Sequence, residues 1–210
     1  MIDPEKLIES INKRCKNLFV NSIKLRPATG HHNITIYRIE GSSNALNRFE
    51  EPFNAVKVLN AFGDFWIYIQ VKFISNEIFR DRKRVKEIHT NISISVFQGK
   101  EEDDEKHQLF RAEWDDFNNP DEVHSQPHWH ITSSQALEKT FSEYSDNFDD
   151  GSFLSLLESE KNQVFDVKTI HFAMNGNWQN NDSHIHKILD EGKIVEWFIG
   201  VLMHIRTELE

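Results

Sequence analysis

Cysteine is almost missing from this chain. The single Cys15 rules out an intrachain disulfide and any zinc knuckle built from thiolates. The 8 glycines are scattered and form no Gly-rich phosphate loop, Walker pattern or dinucleotide fingerprint. No apolar run approaches the roughly 18 residues of a membrane-spanning helix. The opening Met1-Ile2-Asp3-Pro4-Glu5 has neither the basic nor the apolar region of a secretory signal, so the expected compartment is the cytoplasm. Positive charge is also in short supply, with 24 Lys and Arg against 34 Asp and Glu, a net charge of −10. Phosphate binding needs clustered cations, and anionic lipid repels an acidic face. Neither direct nucleic-acid binding nor membrane docking is therefore expected.

What the chain has is aromatic bulk, with 16 Phe and 5 Trp among 210 residues. Large aromatics carry much of the energy of cores and of interfaces. The length suits one domain over 1–210, with ample material for a core. Cations concentrate in one place, Arg80, Arg82, Lys83, Arg84 and Lys86. Such a run reads first as a solvated surface loop and second as a phosphate contact.

Hydrophobic periodicity gives an α+β fold. Asp3 can cap a first helix with Pro4 at its first position, and Leu7, Ile8, Ile11, Cys15 and Leu18 form its apolar stripe. Cys15 on that stripe reads as a buried small hydrophobe. Alternation then takes over. Asn33–Ile39, Asp64–Ile74, Asn91–Phe97, Gln108–Phe117, Val123–Ile131 and Val164–Met174 predict a mainly antiparallel sheet of about six strands with one wet face. A short helix is expected over Asn54–Ala61, a hairpin tip at Glu101–Glu105, and a middle helical pair at Ser134–Tyr144 and Ser152–Glu160. A long C-terminal helix over about Ser183–Leu209 is apolar around most of its circumference between Ile194 and Ile205. Such a helix is buried on several sides, either inside the fold or under another chain.

The stretch with most chemical content is His124-Ser125-Gln126-Pro127-His128-Trp129-His130-Ile131-Thr132. Residues two apart share a face of a strand, so His128 and His130 project together. The preceding strand puts Arg111, Glu113 and Asp115 on one face and Phe110, Ala112 and Trp114 on the other. If the two strands pair, His128, His130 and Glu113 supply a two-His, one-carboxylate set that suits a divalent metal. His171 could add a third imidazole. The same residues could equally be cross-strand polar pairs with no further role.

This segment resembles the alternating His strand of the histidine-triad nucleotide hydrolases, but Thr132 stands where that pattern needs another His. His130-Ile131-Thr132 resembles half of the paired motif of two-histidine phosphoesterases, yet the second element, His171-Phe172-Ala173, lacks the hydroxyl. A longer stretch runs through Leu109–Asp115, Gln126–Ile131, Ile170–Met174 and the apolar last helix. It resembles small accessory proteins of bacterial multi-gene anti-phage defence operons, in which a chromosome-maintenance-type ATPase works with a nuclease. That resemblance implies protein partners, an ATPase and/or a nuclease of the same operon, and assigns no catalytic residue. The sequence thus leads to a non-catalytic accessory subunit, with Trp197, Phe198 and Val201 as candidate partner contacts and no cofactor. The alternative is a metal-dependent hydrolase of a phosphodiester or nucleotide, built on His128, His130 and Glu113 with a divalent ion.

Overall fold

The structure, a computed structural model, describes residues 2–47, 54–103, 106–116, 126–131, 172–173 and 190–210. Helix α1 (Pro4–Cys15) starts as its sequence predicts. The Asp3 carboxylate accepts from the backbone N–H groups of Glu5 and Lys6, and Leu7, Ile8, Ile11 and Cys15 are buried. Burial pushes the Cys15 thiol up to about 11, which leaves it protonated and unreactive near neutral pH.

Among the described residues the chain then builds a sheet of nine antiparallel strands, rather than about six: β1 (Leu25–His31), β2 (Ile34–Ile39), β3 (Ser43–Asn47), β4 (Asn54–Phe62), β5 (Phe65–Arg80), β6 (Lys83–Gln98), β7 (His107–Asp115), β8 (His128–Ile131) and β9 (Phe172–Ala173). Their order is β1-β2-β5-β6-β7-β8-β9, and β4, carrying β3, pairs with the start of β5. The segment expected as a helix over Asn54–Ala61 is strand β4. Val56 and Val58 are buried while Ala55 and Lys57 are exposed, an alternation that β-branched residues favour once partners lie on both sides. The alternation changes phase at Val58 and Leu59, which are both buried, and a β-bulge against β5 follows between Asn60 and Phe62.

One face of the sheet carries Ile67, Ile69, Val71, Ile92, Ile94, Val96, Ala112 and Trp114, all buried. They share a single apolar cluster with α1 and with helix α2 (Glu191–Leu209). The two helices run the same way. Asp3 N donates to the Glu191 carboxylate at 3.0 Å at one end, and the Arg206 guanidinium donates to Leu18 O at 3.0 Å at the other. The expected start of the last helix near Ser183 is corrected to Glu191. Asp190 has extended backbone, and its carboxylate accepts from Gly192 N and Lys193 N, closing the helix there. The helix is also not apolar all round. Ile194, Val195, Phe198, Val201, Leu202 and Ile205 form its buried side, whereas Glu196, Gly200, Met203 and His204 are exposed. No helix among the described residues is long and apolar enough to cross a membrane.

The other face was expected to be wet. It is polar, but it is buried: Tyr68, Gln70, Ser93 and Ser95 are all below a tenth exposed. At one end β3 reaches across it to β7, with Gln108 donating to Asn47 Oδ1 at 3.2 Å. Buried Lys106 ties the same corner. Its ammonium donates to Asp103 O at 2.6 Å and Ser43 Oγ at 2.7 Å, and lies 4.5 Å from the centre of the Trp66 ring. The acidic segment from Glu101 is the β6–β7 turn, described through Asp103. The expected helices at 134–144 and 152–160 lie outside the described residues, as does most of the strand predicted over 164–174.

Candidate functional site

The polar face acquires its chemistry from cross-strand register. Strands β6 and β7 pair Asn91 with Asp115, Ser93 with Glu113 and Ser95 with Arg111. Strands β7 and β8 pair Glu113 with His128 and Arg111 with His130. Directly opposite residues point to the same side, so Arg111, Glu113, His128 and His130 meet on one buried patch. Strand β8 begins only after Pro127, which follows a cis peptide bond. Just before it, the side-chain oxygen of buried Gln126 accepts from Asp115 N at 3.0 Å.

Within the patch, His128 Nε2 and His130 Nε2 are 2.6 Å apart. Glu113 Oε2 lies 3.1 Å from His130 Nε2 and 3.8 Å from His128 Nε2. Arg111 Nη2 donates to the same carboxylate oxygen at 2.6 Å and sits 3.1 Å from His130 Nε2. Asn91 donates to Glu113 Oε1 at 2.8 Å and to Asp115 Oδ2 at 2.9 Å. Burial by itself raises the Glu113 pKa. The His130 hydrogen bond, the Arg111 charge and the Asn91 hydrogen bond outweigh it and hold the carboxyl well below the usual carboxylate range. Glu113 is therefore an anion throughout the neutral range.

His130 Nε2 is the apex of this arrangement. A ring nitrogen offers either one proton or one lone pair, and its neighbours ask for different things. With a lone pair it accepts from Arg111 or His128 but faces the Glu113 oxygen. With a proton it donates to Glu113 or His128 but faces the guanidinium. The cluster can thus hold a shared proton between the two rings, or a cation among the three ligand atoms. Ligand atoms sharing a tetrahedral ion at 2.0–2.1 Å lie about 3.3 Å apart, and the separations of 2.6, 3.1 and 3.8 Å bracket that value. Against an ion stands Arg111, whose positive charge already occupies the space beside both Glu113 and His130.

The structure brings together all three sequence-predicted ligands, and among the described residues they form the one group with metal-binding spacing. It adds Arg111 as their counter-charge and Asn91 as a second support for Glu113. Asn91 could have been found from its place two residues before Ser93 on the polar side of β6. Asp115 lies one row away, on Asn91 rather than on the histidines. His124, His171, His184 and His186 lie outside the described residues; His31 and His32 are exposed.

The residues predicted as partner contacts fall mostly inside. Phe198 and Val201 are 0% and 7% exposed in the chain's own core. Half-buried Trp197 packs edge-on against Trp114 with ring centres 5.2 Å apart. On the solvent side of α2, the exposed apolar residue is Met203. Comparison with protein-family models, curated proteins and solved structures returns no match, so the functional reading rests on the residues themselves.

Proposed function

We propose that this chain is a non-catalytic accessory subunit of a bacterial multi-protein complex, in keeping with the defence-operon resemblance of its sequence. The observation that carries the non-catalytic reading is the position of Arg111. Its guanidinium neutralises Glu113 at 2.6 Å and reaches His130 at 3.1 Å, so it fills the position that a catalytic metal or a substrate charge would need. A buried cluster in which Arg111 pairs with Glu113 and Asn91 supports the carboxylate ties β6, β7 and β8 together. The acidic surface, net −10, favours a partner with a basic patch. Co-expression with the products of the adjacent genes, followed by size-exclusion chromatography, tests this reading. Co-elution with an ATPase or a nuclease supports it; elution of every product alone overturns it.

A second reading, a metal-dependent hydrolase acting on a phosphodiester or nucleotide, is favoured by the convergence of Glu113, His128 and His130, with ligand atoms all within 4.8 Å of one another. Here Arg111 would move off His130 and the three side chains would hold a divalent ion, which polarises a phosphoryl oxygen and activates water. Elemental analysis of protein purified without chelators separates the two. One ion per chain, lost in a His128→Ala/His130→Ala variant, supports the hydrolase. Protein free of transition metal, which also fails to take up added Zn²⁺ in a calorimetric titration, removes it.

A further inference from the structure

The β5–β6 hairpin leaves the sheet. Strand β2 accompanies β5 only as far as Ile74, and β7 accompanies β6 only from Asn91. The six pairs from Ser75–Ile88 to Arg80–Lys83 have no neighbouring strand among the described residues. At about 3.4 Å per residue they form a two-stranded ribbon roughly 20 Å long.

The charge on this ribbon is unlike that of the body. Residues 75–89 hold five of the chain's 24 basic residues and three of its 34 acidic ones. The cross-strand pairing sets Arg80 opposite Lys83 and Phe79 opposite Arg84. Alternation then puts Arg80 and Lys83 on one face, Arg84 and Lys86 on the other, and Arg82 at the tip. Only Arg84 has a carboxylate within reach among the described residues, Glu77 at 3.7 Å, with both side chains more than two-thirds exposed. Such a pair is weak. Phe79 is 74% exposed, with the Arg84 guanidinium 5.7 Å from its ring centre.

The turn shows a local conflict. Asp81 and Arg82 both have positive φ, 51° and 63°, as a two-residue hairpin turn requires, and that geometry favours Gly at the second position. The sequence instead carries Arg there, against the backbone preference. The guanidinium is thereby presented at the tip of the ribbon.

We propose, independently of what the buried cluster does, that this ribbon binds B-form duplex DNA by entering the major groove. Cations on both faces and at the tip fit an element flanked by two phosphate strands, not one resting on a flat acidic surface. The B-form major groove, about 12 Å wide and 8.5 Å deep, admits a two-stranded ribbon, whereas the A-form RNA major groove is too narrow. The length of the ribbon also answers the objection from net charge. A reach of about 20 Å exceeds two Debye lengths at physiological ionic strength, so the acidic body is screened from phosphates that the tip touches.

The test is fluorescence anisotropy of the full-length chain with a labelled 20-base-pair duplex. With about four phosphate contacts, raising salt from 50 to 200 mM weakens binding roughly 150-fold. Reversing the exposed tip charges (Arg82→Glu/Lys83→Glu/Arg84→Glu) abolishes it. Arg82→Gly relieves the positive φ, so it raises the thermal midpoint while lowering the salt slope by about one. That opposition separates lost binding from lost folding. Four results each overturn the proposal: no binding at 50 mM salt, equal affinity for an RNA duplex, equal affinity for a polyglutamate peptide, or binding that the tip reversal leaves intact.

Discussion

Glu113→Gln isolates the charge at the centre of the polar face. Glutamine keeps the shape and one carbonyl oxygen, but it leaves the Arg111 guanidinium without the partner now 2.6 Å away. Both side chains are only 14% exposed. Removing one member of a buried pair costs about 3–5 kcal/mol, because the remaining charge loses its direct compensation, and the residual water access places this case near 3 kcal/mol. Urea unfolding followed by tryptophan fluorescence at pH 7 measures it. With a slope of about 2–3 kcal/mol per M, the midpoint should fall by about 1 M. The pH dependence gives a second check. The folded carboxyl is held low, first against burial, by His130, Arg111 and Asn91, so the unfolded chain binds that proton more tightly. The stability from Glu113 is therefore fully present above the unfolded value, about 4.3, and is lost as pH falls from there toward the folded value. Glu113→Gln lacks this contribution at every pH, so its gap from wild type should narrow between pH 5 and pH 3. An Arg111→Met/Glu113→Leu double variant, with neither charge left to strand, should be more stable than the single one. A single variant within about 0.5 kcal/mol of wild type at pH 7, the usual range for a surface substitution, or a gap that widens in acid, would refute this account.

Two further predictions concern packing. Lys106→Met keeps the buried stem but removes an ammonium that donates to Asp103 O and Ser43 Oγ and lies over Trp66. It should cost about 2–4 kcal/mol and speed amide exchange in β3, both readable by thermal melts and hydrogen exchange. Phe198→Ala should cost about 3–5 kcal/mol by leaving a cavity, while Met203→Ala, at a position 55% exposed, should change stability by less than about 0.5 kcal/mol. Equal, small effects at the two positions in chemical denaturation would mean that Phe198 is not a core residue.

Much of the site could be read from alternation alone. Period two separated Arg111, Glu113 and Asp115 from Phe110, Ala112 and Trp114, and set His128 and His130 on one side. The register in the structure keeps each of those faces. The first helix was equally legible, because Asp3, Pro4 and the Leu7–Cys15 stripe are local signals. The start of the last helix was less legible, since the structure caps it at Asp190 rather than near Ser183.

Tertiary structure decided the rest. Asn54–Phe62 became a strand because β3 and β5 stand on either side of it, and local propensity holds no record of partners distant in sequence. The polar face became buried rather than wet for the same reason, since alternation distinguishes two faces but does not say what covers either. The last helix has one buried side because, among the described residues, α1 and the sheet pack on that side. Most of all, Arg111 and Glu113 meet His128 and His130 by virtue of strand register. Alternation by itself set His128 with His130 on one side of their strand, and Arg111 with Glu113 on one side of theirs. Only the hydrogen-bond pairing of β7 with β8 brought the two imidazoles together with the carboxylate and the guanidinium.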